Sequence, residues 1–263
     1  MGEFVRVEIG EVPGVATLRL DRPKANALNT QVLAELHQAV NELSVMTDVR
    51  SVVIWGGPRV FAAGADIGEF TGMGVDEGRD LSRRFNAAFR AVELLPQITI
   101  CAVNGYALGG GCELAMAAEF RLIGEGAVLG QPEINLGIIP GGGGTQRLSR
   151  LVGITRAKEL IYSGRNVWAD EAVSIGLASA AYPDDEVYDE AVKLAARYCS
   201  APAAIVMAKR AILEGFALPL DEALNVEVEA FAACFATDDA GIGVASFLES
   251  GPGRAKFTGK QKD

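Results

Sequence analysis

Histidine is nearly absent from this chain, which has one such residue, His37, among 263 positions. A Ser-His-Asp triad or a Cys-His dyad would have to use His37, and no G-x-S-x-G nucleophile motif accompanies it. His37 lies in an early amphipathic stretch, which favours a place on the surface of a helix. The sequence therefore argues against nucleophilic catalysis that depends on histidine.

Cysteine is also scarce, and its spacing excludes the common metal motifs. Cys101, Cys112, Cys199 and Cys234 form no C-x-x-C pair, and the chain contains no H-E-x-x-H segment. We therefore predict that no metal is bound. Scattered thiols of this kind are typical of buried side chains in a reducing compartment.

Long apolar runs and an excess of positive charge are missing as well. No apolar segment reaches the roughly 18 to 20 residues of a membrane span, and the first residues lack the pattern of a signal peptide. We therefore expect a cytoplasmic protein with no membrane partner. The net charge of −10 argues against nucleic acid as a partner, so an anionic ligand must find a local basic patch.

Strand and helix patterns alternate through the first half of the chain, with glycine-rich turns between them. This alternation predicts an α/β core with parallel strands. The predicted strands are Phe4 to Ile9, Val15 to Leu20, Ser51 to Trp55, Ile98 to Val103 and Phe120 to Ile123. The acidic, glycine-rich segment from Thr71 to Asp80 indicates a mobile surface loop before a helix at Leu81, and a short helix is predicted from Cys112 to Ala118.

The last third of the chain has helical periodicity. The predicted helices are Asp184 to Cys199, Pro202 to Gly215, Leu220 to Ala236 and Asp239 to Glu249. We therefore predict a core over residues 1–200 that holds the functional site, and a helical region over residues 201–263.

Two glutamates, Glu113 and Glu133, each stand just inside a glycine-rich turn. Carboxylates are costly in apolar surroundings unless they are paired or functional, and glycine lets the backbone approach a ligand closely. Two neighbouring carboxylates resist ionising together, so they share one proton near neutrality and offer one acid and one base.

The glycines at 109–111 precede the predicted short helix and add hydrogen-bond donors to this pair. The first amides of a helix lack intrahelical partners and can receive an oxyanion, and the turn at 63–66 can offer a second amide. Such a set suits the addition of water to a double bond conjugated with a polarised carbonyl. The alternative is structural: tight turns, with Glu113 matching the helix dipole and Glu133 an ordinary loop acid.

Several longer segments together carry a family resemblance. They are Asp21–Asn29, Phe61–Ile67, Ala102–Leu114, Gly130–Glu133, Ile139–Leu148 and Phe235–Asp239. On these segments the chain resembles the crotonase superfamily, and enoyl-CoA hydratases in particular. The likeness extends over nearly the whole chain.

The resemblance implies a spiral of repeated β-β-α units, with a C-terminal helical region that builds a homotrimer or a hexamer of two trimers. It implies a lyase that adds water syn to a trans-2-enoyl-CoA, giving (3S)-3-hydroxyacyl-CoA, in fatty-acid oxidation or a related acyl-CoA pathway. No separate cofactor is implied, because CoA is part of the substrate.

The resemblance also implies roles for individual residues. The amides of Ala65 and Gly110 would form the oxyanion hole, and Glu113 and Glu133 would hold the water with help from the amide of Gly141. Glu133 would then protonate Cα while Glu113 accepts the proton of water. Alternatively, one water supplies both the hydroxide and the proton through a single carboxylate.

The path of CoA is implied in the same way. It would run along Lys24, Ala25, Leu28, Ala63, Asp66 and Ile67. One departure concerns the phosphates, because Gly68 stands where many hydratases carry a basic residue. Arg22, Lys24 and the basic tail at 254–260 are the alternatives for phosphate contacts.

Three other functions compete with hydration. A crotonase-family isomerase would move the double bond from position 3 to 2 with one acid, whereas the resemblance finds acids at both positions. A glycosidase also uses two carboxylates, but it has no use for an oxyanion turn and usually needs more than the two tryptophans found here. A non-catalytic acyl-CoA-binding protein gains nothing from buried carboxylates.

Overall fold

The computed structural model describes residues 2–259. These residues form two compact units, one extending to Ala196 and the other beginning at Arg197. We describe each unit by itself. Whether function divides at residue 200, as the sequence suggested, stays a prediction.

Two sheets build the first unit. Its strands are β1 Val5–Ile9, β2 Val15–Leu20, β3 Ser51–Trp55, β4 Ile98–Val103, β5 Tyr106–Leu108, β6 Phe120–Gly124, β7 Val128–Gly130, β8 Asn166–Trp168 and β9 Ala180–Tyr182. The larger sheet has the order β1-β2-β3-β4-β6-β9, parallel except for the β1–β2 pair, and the smaller has the order β5-β7-β8. Successive strands pass from the larger sheet to the smaller one, as in β4 to β5 and β6 to β7. The predicted α/β core with parallel strands is confirmed.

Helices cover the sheets and make up most of the second unit. They are α1 Thr30–Ser44, α2 Val75–Glu93, α3 Gly110–Ala117, α4 Gly144–Val152, α5 Ile154–Ser163, α6 Ala169–Ser174, α7 Val187–Cys199, α8 Ala204–Gly215, α9 Leu220–Cys234 and α10 Asp238–Ser250. The side chain of Asn29 begins α1 by accepting the amide of Val32 at 2.9 Å. Short 3₁₀ turns occupy Ile67–Phe70 and Pro132–Leu136.

The start of α2 corrects one expectation. Residues 71–80 were predicted to be a loop, but the helix already begins at Val75. Glu77 caps this end, since its Oε2 accepts the amide of Gly74 at 3.1 Å, and the acidic side chains of the first turn match the helix dipole. The acidic composition that suggested a loop is therefore the signal of a helix start.

The hydrophobic core of the first unit surrounds the helix that carries Glu113. Every residue of β4 is buried, and so is every residue of α3. Helix α3 begins two residues earlier than predicted, directly after Gly109, whose φ is +49°. A helix buried along its whole length places Glu113 in the interior with little freedom to move.

The second unit leaves many large apolar side chains in contact with solvent. On α8 to α10 and their connections these include Phe216 at 65 %, Leu220 at 72 %, Phe231 at 66 % and Leu248 at 80 % exposure. Within residues 2–259, no single helix is long and apolar enough to cross a membrane. Helices α7 and α8 together would be long and apolar enough, but the chain bends by 108° between them.

Candidate active site

A cleft of about 830 Å³ opens in the first unit and brings together residues that are far apart in sequence. Both glutamates line it, and so do Ala65, Gly110 and Gly141. Its remaining wall is largely apolar and comes from α2, from the segment that precedes α2 and from residues 136–139. These side chains include Ile67, Phe70, Met73, Leu81, Phe85, Leu136, Ile138 and Ile139. Apolar walls around a few polar groups are typical of a small-molecule site.

Glu113 lies in the first turn of α3 and is 2 % exposed. Its Oε1 accepts two backbone amides, from Gly142 at 2.8 Å and from Gly144 at 2.7 Å. Burial raises the pKa of Glu113, while these two amides and the charge of Arg147 act to lower it. The carboxylate is therefore held in one orientation by backbone donors.

Glu133 lies in a different element, at the start of the 3₁₀ turn Pro132–Leu136. Burial, with a smaller contribution from the charge of Glu113, raises its pKa to about 7, against an ordinary value of 4.5. Its Oε2 is buried and has no hydrogen-bond partner among residues 2–259. This carboxyl group therefore keeps its proton to a higher pH than an ordinary glutamate does.

The amides of Ala65 and Gly110 lie side by side. Leu28 donates to the carbonyl of Gly64 at 2.8 Å and accepts from Asp66 at 2.9 Å, so the amide of Ala65 points away from Leu28. A Cβ at Gly110 would lie 3.7 Å from the nitrogen of Ala65. In the described part of the chain, neither amide donates to a protein acceptor, so both are free to bind an oxygen.

Glycine at position 111 allows this close approach. A Cβ there would lie 2.1 Å from the carbonyl oxygen of Ala62, a distance that backbone atoms cannot accommodate. The start of α3 can therefore rest directly against the turn that carries Ala65.

The glycine turn at 141–144 faces Glu113 and is held from outside. Ser82 and Asn86 of α2 each donate to the carbonyl of Gly141 at 2.7 Å. Arg147 of α4 donates to the carbonyl of Gly142 at 3.0 Å. The sequence analysis did not predict a role for these three side chains. The only sequence signal was that Ser82 and Asn86 are four residues apart and so lie on one face of α2.

Arg147 is tied in turn to a carboxylate of α2. It forms an ion pair with Glu93 at 3.1 Å, and both side chains are largely buried. Burial raises the pKa of Glu93, but hydrogen bonds from Arg147 and Arg90 leave it below its ordinary range. The positive charge therefore stays in place behind the glycine turn.

Some of the residues expected along CoA lie at or near the cleft, and others do not line it. Ala63 and Ile67 line the cleft, and Leu28 is buried with a methyl carbon 3.4 Å from the Cβ position of Gly110. Ala25 accepts the amide of Ala63 at 3.0 Å, and Lys24 is exposed. Their roles toward CoA stay predictions.

Arg22 is the most constrained of the proposed phosphate contacts. It pairs with Asp66 at 2.7 Å and donates to the carbonyl of Ala27 at 2.9 Å. The hydrogen bond from Arg22 lowers the pKa of Asp66. The basic tail belongs to the second unit, and its Lys260 lies outside the described residues.

No cluster of three or more metal-binding side chains occurs within residues 2–259. The arrangement of the cleft supplies protons and backbone amides instead. It can polarise one carbonyl oxygen at the Ala65–Gly110 pair and exchange protons with a neighbouring carbon and a water through Glu113 and Glu133.

Comparison with known proteins adds an independent line of evidence. Residues 10–260 match the family model described as enoyl-CoA hydratase/isomerase. A short-chain-enoyl-CoA hydratase of Clostridium acetobutylicum is 44 % identical over 238 residues, covering 89 % of this chain and 91 % of that protein. A crotonyl-CoA hydratase of Syntrophomonas wolfei is 43 % identical, with coverages of 89 % and 92 %. The enoyl-CoA hydratase structure from Bacillus anthracis has a TM-score of 0.91 and 37 % identity, covering 98 % of this chain and 100 % of its own.

Proposed function

The chain belongs to the enoyl-CoA hydratase/isomerase family, and from that premise we propose that it adds water to the double bond of a trans-2-enoyl-CoA. It is a hydro-lyase, and the product is the (3S)-3-hydroxyacyl-CoA. The observation that carries this proposal is one cleft that contains the buried carboxyl group of Glu113 and the partly buried one of Glu133, beside two free amides. Fatty-acid oxidation or a related acyl-CoA pathway is the metabolic setting we infer.

The amides of Ala65 and Gly110 are proposed to bind the thioester carbonyl oxygen. As the oxygen of water bonds to Cβ, electrons move toward this carbonyl and an enolate forms. The two amides bind the enolate oxygen more strongly than the neutral carbonyl, which lowers the barrier. A proton then bonds to Cα and completes the addition.

The two glutamates divide the proton transfers in this proposal. Glu113, held by the amides of Gly142 and Gly144, accepts the proton of the attacking water. Glu133 has a pKa of about 7 and an unpartnered oxygen, so it can hold a proton and deliver it to Cα. The amide of Gly141, which donates to no acceptor among residues 2–259, helps to hold the water.

CoA is proposed to follow Lys24, Ala25, Leu28, Ala63, Asp66 and Ile67. Ala63 and Ile67 already form part of the cleft wall. Lys24 is exposed and has no acidic partner among the described residues, so it is the best-placed phosphate contact of the first unit. No cofactor besides the substrate's own CoA is needed for this chemistry.

We further propose that the chain assembles as a homotrimer, or as a hexamer of two trimers. The exposed apolar side chains of α8 to α10 support burial against other copies, because a monomer rarely exposes a large apolar surface. The number of copies comes from the family resemblance alone, and sedimentation equilibrium would measure it.

The test follows the ultraviolet absorbance of the conjugated enoyl thioester after the protein is added to crotonyl-CoA, the substrate named for one relative. We expect rapid loss of absorbance with the wild type. Glu113→Gln and Glu133→Gln should each lower kcat by roughly 10²- to 10⁴-fold. Glu42→Gln changes an exposed glutamate of α1 and should leave kcat unchanged.

The outcomes separate the competing functions. No loss of absorbance with short or long enoyl chains would overturn the hydratase proposal, and conversion of a 3-enoyl-CoA would then identify an isomerase. Near-full activity in Glu133→Gln would remove the acid role from Glu133. Tight binding of enoyl-CoA without turnover would identify a non-catalytic binding protein.

A further inference from the structure

Two polar side chains of α2 converge on one backbone oxygen of the glycine turn. The hydroxyl of Ser82 and the side-chain amide of Asn86 each donate to the carbonyl of Gly141 at 2.7 Å. Asn86 also donates to the carbonyl of Ser82 at 2.9 Å, which holds its amide group in place. The carbonyl of Gly141 therefore receives two hydrogen bonds from a rigid helix.

This carbonyl belongs to the same planar peptide unit as the amide of Gly142. That amide donates to Oε1 of Glu113 at 2.8 Å. One peptide group thus joins two donors at its oxygen end to a carboxylate at its nitrogen end. Hydrogen bonds at one end of a peptide polarise it and strengthen the bond at the other end.

We infer that Ser82 and Asn86 are positioning residues of the hydration reaction, which orient and polarise the Gly141–Gly142 peptide so that it holds Glu113 as an ionised base. The inference rests on the function proposed above. Its consequence is that two side chains of α2 control a group on α3 that neither of them touches.

Other groups also act on Glu113, and each has a different origin. Arg147 approaches from α4, Glu133 from the 3₁₀ turn, and Cys112 is its neighbour on α3. Helix α2 contributes apolar rings and Glu93, whose charge is paired with Arg147. Replacing Ser82 or Asn86 alters the chemical identity of none of these groups.

The expected sign of the effect follows from the role of a base. Burial raises the pKa of Glu113, and the amides of Gly142 and Gly144 oppose that rise. If the hydrogen bond from Gly142 becomes weaker, the pKa of Glu113 should therefore be higher than in the wild type. Glu113 must be ionised to accept a proton, so the acidic limb of the kcat/KM profile should move to higher pH.

The experiment compares Ser82→Ala, Asn86→Leu and the double variant with the wild type, using crotonyl-CoA between about pH 5 and 9. Loss of each bond should lower kcat/KM near neutrality by roughly fivefold, mainly through kcat, and should move the acidic limb upward. Ser82→Thr keeps the hydroxyl and should restore the wild-type profile. Ser149→Ala, which removes a hydroxyl bonded to the carbonyl of Thr145, should leave the profile unchanged.

A second measurement does not depend on turnover. Infrared titration follows the protonated carboxyl band of Glu113, which is assigned by its loss in Glu113→Gln. The band should titrate at higher pH in Ser82→Ala and in Asn86→Leu than in the wild type, whether or not the protein hydrates crotonyl-CoA. A failure of the hydratase proposal can thus be distinguished from a failure of this inference.

A purely structural role for Ser82 and Asn86 would give a different result. A purely structural role would lower the melting temperature without moving the acidic limb or the carboxyl band. An unmoved limb and band in a folded Asn86→Leu variant would therefore overturn the inference, even if its activity were lower.

Discussion

The start of α3 and the 3₁₀ turn at Pro132–Leu136 each place a glutamate in the same cleft, but the two carboxyl groups differ in burial and in hydrogen bonding. At the start of α3, Glu113 is almost fully buried and accepts two backbone amides. In the 3₁₀ turn, Glu133 keeps one buried oxygen without a partner within residues 2–259. Two amides of the glycine turn at 141–144 therefore bind one oxygen of Glu113, whereas one oxygen of Glu133 has no donor in the described part of the chain.

This difference shows how two identical side chains acquire separate tasks. Burial raises the pKa of both carboxyl groups, and the amides of Gly142 and Gly144 oppose that rise at Glu113. In the mechanism proposed above, Glu113 is the base and Glu133 is the acid, although the two residues are of the same type. The predictions below disturb the two surroundings separately.

The largest effects are expected from adding one methyl group beside either carboxylate. A Cβ at Gly142 would lie 2.7 Å from Oε2 of Glu113, and a Cβ at Gly109 would lie 2.9 Å from Oε1 of Glu133. Gly142→Ala and Gly109→Ala should each displace one carboxylate by up to about 1 Å and lower kcat by roughly 10²-fold. Steady-state kinetics with crotonyl-CoA measures both.

Gly10→Ala is the control for Gly142→Ala, because a Cβ at Gly10 would contact nothing within 4 Å. Gly153→Ala is the control for Gly109→Ala, because Gly153 also has a positive φ, of +82°, and a Cβ there would contact nothing within 4 Å. A wild-type kcat in Gly142→Ala would contradict the claim that catalysis depends on the exact position of the Glu113 carboxylate. Wild-type kcat in Gly109→Ala would contradict the same claim for Glu133.

The fold of the first unit could largely be predicted from sequence because its main strands are long and apolar. β4 is buried at every residue, and a run of that kind predicts an interior strand. β5, β7, β8 and β9 were missed because each has three residues, too few to show a period. The start of α2 was missed because the charges that cap a helix also occur in loops.

The candidate site was predictable only in part, for a related reason. Glycine density and two acids marked Glu113, Glu133 and the amide turns, because those residues are adjacent to their glycines in sequence. Ser82 and Asn86 lie more than fifty positions before the turn they hold. Their role depends on how α2 packs, which no local pattern in the sequence encodes.

A smaller effect concerns stability, and its size depends on the surroundings of each carboxyl group. The pKa of Glu133 is raised from 4.5 to about 7 in the folded state, so ionisation destabilises the fold as pH rises through this window. Glu133→Gln removes that penalty. It should increase the free energy of unfolding by about 3 kcal/mol near pH 8 and by little near pH 4.

Denaturant unfolding at both pH values measures this difference. Glu113→Gln should gain less near pH 8, because it also loses the charge-assisted bonds from Gly142 and Gly144. Equal gains in the two variants would contradict the contrast between the two surroundings.

The last effect is a fall in kcat/KM on the alkaline side of the pH profile. An acid must be protonated to act, so kcat/KM should fall above about pH 7, where Glu133 loses its proton. The fall should approach tenfold per pH unit, as expected for one ionisation. Measurement of kcat/KM with crotonyl-CoA from about pH 6 to 9 gives this limb. A profile that stays level through pH 8 would remove the acid role from Glu133, and a single carboxylate would then have to transfer both protons of one water.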